Sequence, residues 1–188
     1  MAIYDRGDEP VQMVQKVPSH IAEEFLAIYR SAFRPLERLA PARQSLTDDE
    51  FAMEMVDERV LKFIAFDKEG QAVGLGTMAT ELSAVPWISP AYYEARFPDY
   101  FARGAIYYFG SLLVRAERQG GPWATVLLTE MSKRVLADAA IAAFDCCAYN
   151  VNVLRLPELI ATVGHRLGRV ETMELDPQQY FAYVFSTI

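Results

Sequence analysis

The residues best suited to chemistry lie in one stretch. From Leu112 to Met131 the chain reads LLVRAERQGGPWATVLLTEM. An apolar run closes on Leu112, Leu113 and Val114. Arg118, Gln119, Gly120, Gly121 and Pro122 then lead into Trp123 and Ala124 and a helix-periodic segment marked by Leu127, Met131, Val135 and Ala139. The first turn of any helix has unpaired backbone N–H groups and a partial positive charge. Glycines let such groups approach an anion closely. The arrangement suits a phosphate or pyrophosphate. Local charge points the same way, since Arg115, Arg118, Lys133 and Arg134 outnumber Glu117 and Glu130 in a chain of formal charge -7.

The elements that must position this loop follow from periodicity. Val11–Lys16 alternates as a first strand behind a loose arm over residues 1–10. A helix opens at Ser19, a possible N-cap, carries Ile21, Phe25, Ile28 and Ala32 on one face, and is limited by Pro35. Thr47 and Glu50 form a capping box, with Leu46 and Phe51 as its hydrophobic staple, for a second helix ending near Val56. Arg59–Asp67 and Ala72–Thr80 read as a hairpin around Lys68–Gln71. Residues 85–104 form an aromatic-rich insertion that is either a satellite hydrophobic cluster or a pocket wall. Ala105–Val114 is a long buried strand and Phe144–Tyr149 another. With the intervening helix they make a βαβ unit with parallel strands. A helix begins around Pro157 and stops at Gly164, and Val170–Leu175 and Tyr180–Phe185 close the chain as a strand pair. The fold class is α+β in a single domain over 1–188, with a mixed sheet of about seven strands flanked by about four helices.

Composition excludes several functions. Hydrophobic residues make up 52% and charged residues 23%, which suits a globular chain. The acidic balance disfavours nucleic acid as a partner. The only cysteines, Cys146 and Cys147, are adjacent, which rules out a disulfide framework and reads as two small buried hydrophobes. His20 and His165 have no metal-ligand spacing, so no metal is expected. No secretory leader and no membrane-length apolar run appear, and the expected location is the cytoplasm.

The order of elements, together with Arg118, Gly121 and the glycine-bearing loop, resembles the GNAT superfamily of acyl-CoA-dependent N-acyltransferases. The family loop has the form Q/R-x-x-G-x-G/A; Arg118 and Gly121 match it, and Trp123 stands where the pattern has a small residue. The resemblance implies acetyl-CoA or another acyl-CoA as co-substrate. Its diphosphate would lie on Arg118–Ala124 and its pantetheine beside Leu112, Leu113 and Val114. It further implies an asparagine after the fifth strand, a place that Asn150 or Asn152 can take. The tyrosine that often follows has no counterpart among Leu156, Leu159 and Ile160, and Gly164-His165 stands where many members have Gly-Phe, making His165 a packing residue.

Acyl transfer to an amine needs a polarised carbonyl, a neutral amine and a protonated or stabilised thiolate. Tyr108 and Asp145 are the first candidates for proton handling, with Glu81, Tyr107 and Tyr149 behind them. The expected partner is a small-molecule amine acceptor, with neither nucleic acid nor membrane, and a homodimer is open. A catalytically silent CoA-binding or scaffold module is the alternative, and a protein-lysine acyltransferase a third.

Overall fold

The structure is a computed structural model, and it describes residues 10–184. The central sheet has five strands in the order β1-β2-β3-β4-β5. These are β1 (Val11–Val14), β2 (Val60–Phe66), β3 (Ala72–Ala79), β4 (Ile106–Val114) and β5 (Ile141–Ala143). The first four pair antiparallel, and β4 with β5 parallel. Among the described residues seven α-helices accompany them: α1 (Ser19–Phe33), α2 (Asp48–Val56), α3 (Pro90–Arg96), α4 (Pro98–Ala102), α5 (Trp123–Ala137), α6 (Ala148–Asn152) and α7 (Leu156–Leu167).

Local chemistry explains the sharpest element. At α2 the Thr47 side chain accepts from the Glu50 amide and the Glu50 carboxylate accepts from the Thr47 amide, at 3.3 and 2.7 Å. Leu46 and Phe51 join the same apolar cluster, as the staple requires. Helices α1 and α2 cover one face of the sheet through Phe25, Tyr29, Phe51 and Met55, which pack on Ile64, Leu75 and Leu113. Helix α5 covers the other through Leu127, Leu128 and Met131 on Phe63, Val73 and Phe109. Residues 85–104 form α3 and α4, and Tyr93, Phe97, Tyr100 and Phe101 pack over Ile106, Tyr108 and Ala143. The insertion is therefore a satellite cluster capping one end of the sheet.

Several expectations are corrected. Among the described residues the sheet has five strands rather than about seven, and the α-helices number seven rather than about four. Val170–Leu175 and the described part of Tyr180–Phe185 are not strands. Alternation alone does not make a strand; a ladder partner is needed. Here the Leu175 carbonyl accepts from the Tyr92 hydroxyl at 3.1 Å, and Arg96 reaches the Met173 sulfur. The fifth strand is Ile141–Ala143, not Phe144–Tyr149. Helix α5 ends at Ala137 and Ala139 turns at φ 47°, so the chain enters the sheet earlier. Ser19 is the first helical residue and Pro18 the N-cap. Gly164 is buried within α7, which runs on to Leu167. The two cysteines lie half-buried between β5 and α6, and His165 is exposed. The expected arm over residues 1–10 lies outside the described residues except for Pro10, whose carbonyl accepts from the Phe66 amide.

Candidate functional site

Two irregularities in β4 define the site. The first is on its β3 side. Gly76 faces Leu112 and Met78 faces Phe109, so Gly110 and Ser111 together oppose Thr77. This is a β-bulge. The Ser111 amide, lacking a backbone carbonyl, donates to Thr77 Oγ1 at 2.8 Å. Gly110 is exposed in the middle of an otherwise well-covered strand.

The second irregularity is on the β5 side. Pairing with β5 covers only Ile106, Tyr107 and Tyr108. The Arg115 amide donates to the Val73 carbonyl, toward β3. Strand alternation then turns the N–H and C=O of Val114 and Leu112 toward the opposite, unpaired edge. Gln119 Nε2 already donates to the Val114 carbonyl there, at 3.3 Å. Leu113, by contrast, is buried in the α1–α2 core.

Downstream of that edge, Ala116–Arg118 makes a short 3-10 turn, Gly120 adopts φ 76°, and α5 begins at Trp123 with Pro122 as N-cap. No side chain caps α5 and no acidic residue sits in its first turn. The amides of Trp123, Ala124 and Thr125 have no intrahelical acceptor, as at any helix start. A Cβ on Gly120 would meet nothing within 4 Å, so this side of the loop is open. The Trp123 ring packs partly buried against the α5 core cluster and lies beside Gly121, where an added Cβ would meet its Cδ1 at 3.6 Å. The main-chain groups fit an anion, and the open β4 edge fits an extended chain of amides.

The expected side-chain charge is not free. Arg115 is bonded to Glu24 and to the Ala72 carbonyl. Arg118 pairs with buried Asp67 at 2.7 Å, and the Gln71 amide bond and then Arg118 hold the Asp67 carboxyl below its ordinary range against the opposing effect of burial. Lys133 pairs with Glu130, and Arg134 with Asp138. The basic excess visible in the sequence is spent on partners. What remains for an anion is the backbone.

Tyr108 and Asp145 do come together. The Tyr108 hydroxyl donates to Asp145 Oδ1, which also accepts from Trp87 Nε1 at 3.2 Å. Burial first, and then this bond, push the Tyr108 phenol far above its usual range. A phenol held so firmly protonated is a donor of hydrogen bonds and a poor source of a proton for a thiolate. Tyr107 lies on the α5 face, bonded to Asp138 at 2.6 Å, away from this pair. Asn150 and Tyr149 sit half-buried on α6, and Glu81 and Asn152 are exposed.

Sequence reasoning missed a buried polar cluster on the α1–α2 face: Glu54, Lys62 and Thr77. Lys62 is fully buried and gives two bonds, to the Gln15 and Asp57 carbonyls, both 2.7 Å. Burial pulls its pKa down to about 8. The available signal was a lysine inside an apolar strand run, VLKFIAF. Among the described residues no group of three or more potential ligands could hold a metal, and no helix is long and apolar enough to cross a membrane.

No family model and no curated protein matches the chain. Solved structures do resemble it. A ribosomal-protein-alanine N-acetyltransferase from Brucella melitensis biovar Abortus 2308 aligns at TM-score 0.51 and 13% identity, over 90% of this chain and 99% of that one. An aminoglycoside acetyltransferase from an uncultured soil metagenomic sample aligns at 0.51 and 11%, over 94% and 98%. A candidate acetyltransferase from Acinetobacter baylyi ADP1 aligns at 0.55 and 17%, over 84% and 77%. At these identities the likeness is one of architecture, and the chain has the fold of the GNAT N-acetyltransferases.

Proposed function

We propose that the protein transfers an acetyl or other acyl group from acyl-CoA to the amine of a small-molecule acceptor by direct attack. The observation that carries this reading is the early end of β4–β5 pairing, directly upstream of an uncapped helix start. Leu112 and Val114 would pair with the pantetheine amides, with Gln119 yielding the Val114 carbonyl. Gly120, Trp123 and Ala124 would hold the diphosphate, within the loop that Arg118, Gly121 and Pro122 shape. Asn150, on α6 shortly after β5, would take the place of the asparagine that the resemblance implies. When bound, acyl-CoA supplies the activated carbonyl. The chain's part is to align that carbonyl with the amine and to handle protons. The acetyltransferases of similar fold named above support an amine acceptor.

Gly121→Asp separates binding from folding. A Cβ on Gly121 would sit 3.2 Å from the Arg118 carbonyl, a contact that a small shift relieves. A carboxylate beside a helix N-terminus favours the helix by about 0.3–1 kcal/mol, yet it repels a diphosphate. The expected result is an unchanged or raised melting temperature with CoA binding lost in isothermal titration. Undiminished affinity would refute the placement.

The mutual locking of Tyr108 and Asp145 favours one second reading, a CoA-binding module without turnover. It predicts CoA binding with no thiol release above background for any amine.

A further inference from the structure

Past the last β4–β5 pair, Tyr108 with Ala143, the two strands part. Carried on, the register would set Gly110 opposite Asp145. Both residues are exposed, one on each side of the parting. Two uncharged donors hold Asp145 there. The buried Tyr108 hydroxyl and the Trp87 indole N–H, the latter at 3.2 Å, both bond its Oδ1. They fix the carboxylate without cancelling its charge. Asp145 Oδ2 takes no bond, and every ion pair among the described residues lies elsewhere. Burial first, and then the Asp145 charge, raise the Tyr93 phenol and the Cys146 thiol. The setting is otherwise aromatic. Trp87 is 48% exposed, and Tyr93 and Tyr108 pack in the cluster that caps this end of the sheet. A cation set against such a carboxylate gains a charge-assisted bond and the attraction of a neighbouring indole.

We propose that Asp145 and Trp87 hold a second cationic group of the acceptor, which makes amines carrying two basic centres the substrate class; this rests on the acyl-transfer reading. The nitrogen that attacks must be neutral. A carboxylate in contact with an amine favours its charged form. A nitrogen seated on Asp145 therefore keeps its protons, and the attack falls to the other end of the acceptor. Neighbouring strands lie about 5 Å apart, and these two diverge, so a spacer of several carbons must separate the two nitrogens. In the reaction the neutral end forms the N–C bond to the thioester carbonyl. The C–S bond breaks with its electrons on sulfur, and the proton that leaves nitrogen ends on sulfur. The anchored end is unchanged. The lock between Tyr108 and Asp145 then positions a charge rather than moves a proton.

The test uses the full chain and acetyl-CoA with three amines of one chain length: putrescine, butylamine and γ-aminobutyrate. Their far ends are cationic, neutral and anionic. In wild type we expect kcat/KM to fall in that order, with putrescine ahead of butylamine by about 10-fold or more, chiefly through KM. Asp145→Asn keeps an oxygen for Tyr108 and Trp87 but loses the charge, and the ratio of putrescine to butylamine should drop to near one. The ratio does not depend on how much of the variant is folded. Trp87→Leu keeps the charge and should give an intermediate ratio. In about 1 M salt the wild-type preference should shrink. A wild type that acylates all three amines alike, or a preference that Asp145→Asn leaves intact, overturns the inference. A wild type that binds no CoA, or releases no thiol with any amine, refutes the functional reading itself and the inference with it.

Discussion

Gly110 offers the most demanding test of the bulge. A Cβ built there would lie 2.6 Å from Thr77 Oγ1, while the next nearest atoms, Thr77 Cβ and the Thr77 carbonyl oxygen, are 3.8 Å away. One hydroxyl oxygen is thus the whole obstacle. In Gly110→Ala it must move, and the Ser111 amide loses its acceptor. Leaving that buried amide unpaired costs about 1–3 kcal/mol. Residual overlap adds roughly 1–3 kcal/mol. Thr77→Ala alone deletes the acceptor and carries the first cost, together with the loss of the Thr77 hydroxyl's bond to Glu54, which the double variant shares. With Oγ1 gone, the methyl added by Gly110→Ala has ordinary van der Waals room, so the double variant should be no less stable than Thr77→Ala. Urea unfolding of the four proteins gives the cycle, with an expected coupling of about 2–6 kcal/mol in favour of the pair, the whole cost of Gly110→Ala alone. Additive costs would show that the bulge is not held through Thr77.

Two other perturbations probe the scaffold. Lys62 binds its proton more weakly folded than unfolded, with a folded value near 8. Its contribution is therefore fully present above the ordinary lysine range and is lost as pH falls through about 8. Unfolding of wild type and Lys62→Met at pH 10 and pH 7 should show wild type losing roughly 1–3 kcal/mol relative to the variant at the lower pH. A difference independent of pH would contradict a buried cationic lysine. Thr47→Ala removes the side-chain half of the α2 capping box and should cost about 1 kcal/mol in thermal or urea unfolding, with no change in CoA affinity.

What was legible in the sequence was local. The capping box, the β2–β3 hairpin and the glycine loop each depend on residues a few positions apart, and each stands where the pattern put it. The meeting of Tyr108 with Asp145 needed only the βαβ crossover. Errors arose where a distant partner decides the outcome. Arg115 is neutralised by Glu24 and Arg118 by Asp67, in contacts made by the fold. The C-terminal alternation looked like two strands, but its carbonyls and side chains meet Tyr92 and Arg96 instead of a ladder. Glu54 was invisible because a helix of EFAMEM composition gives no sign of which carboxyl turns inward.

The pairing of the loop arginines changes the physical account of how the site would attract its ligand. If Arg115 and Arg118 were free, recognition of a diphosphate would be a matter of mobile surface charge and would weaken steeply with salt. Here the partial positive charge belongs to the first turn of α5, whose amides are fixed by the helix and by the Gly120 turn. Arg118 contributes indirectly, by tying the loop to the β2–β3 turn through Asp67. The same division recurs across the sheet. On the α5 side, backbone groups present positive ends to an anion; on the α1–α2 side, a carboxyl lacks a donor. Strand β4 carries both the bulge and the edge that β5 leaves unpaired. A thioester laid along that edge would have its phosphates at the helix and its carbonyl near Gly110.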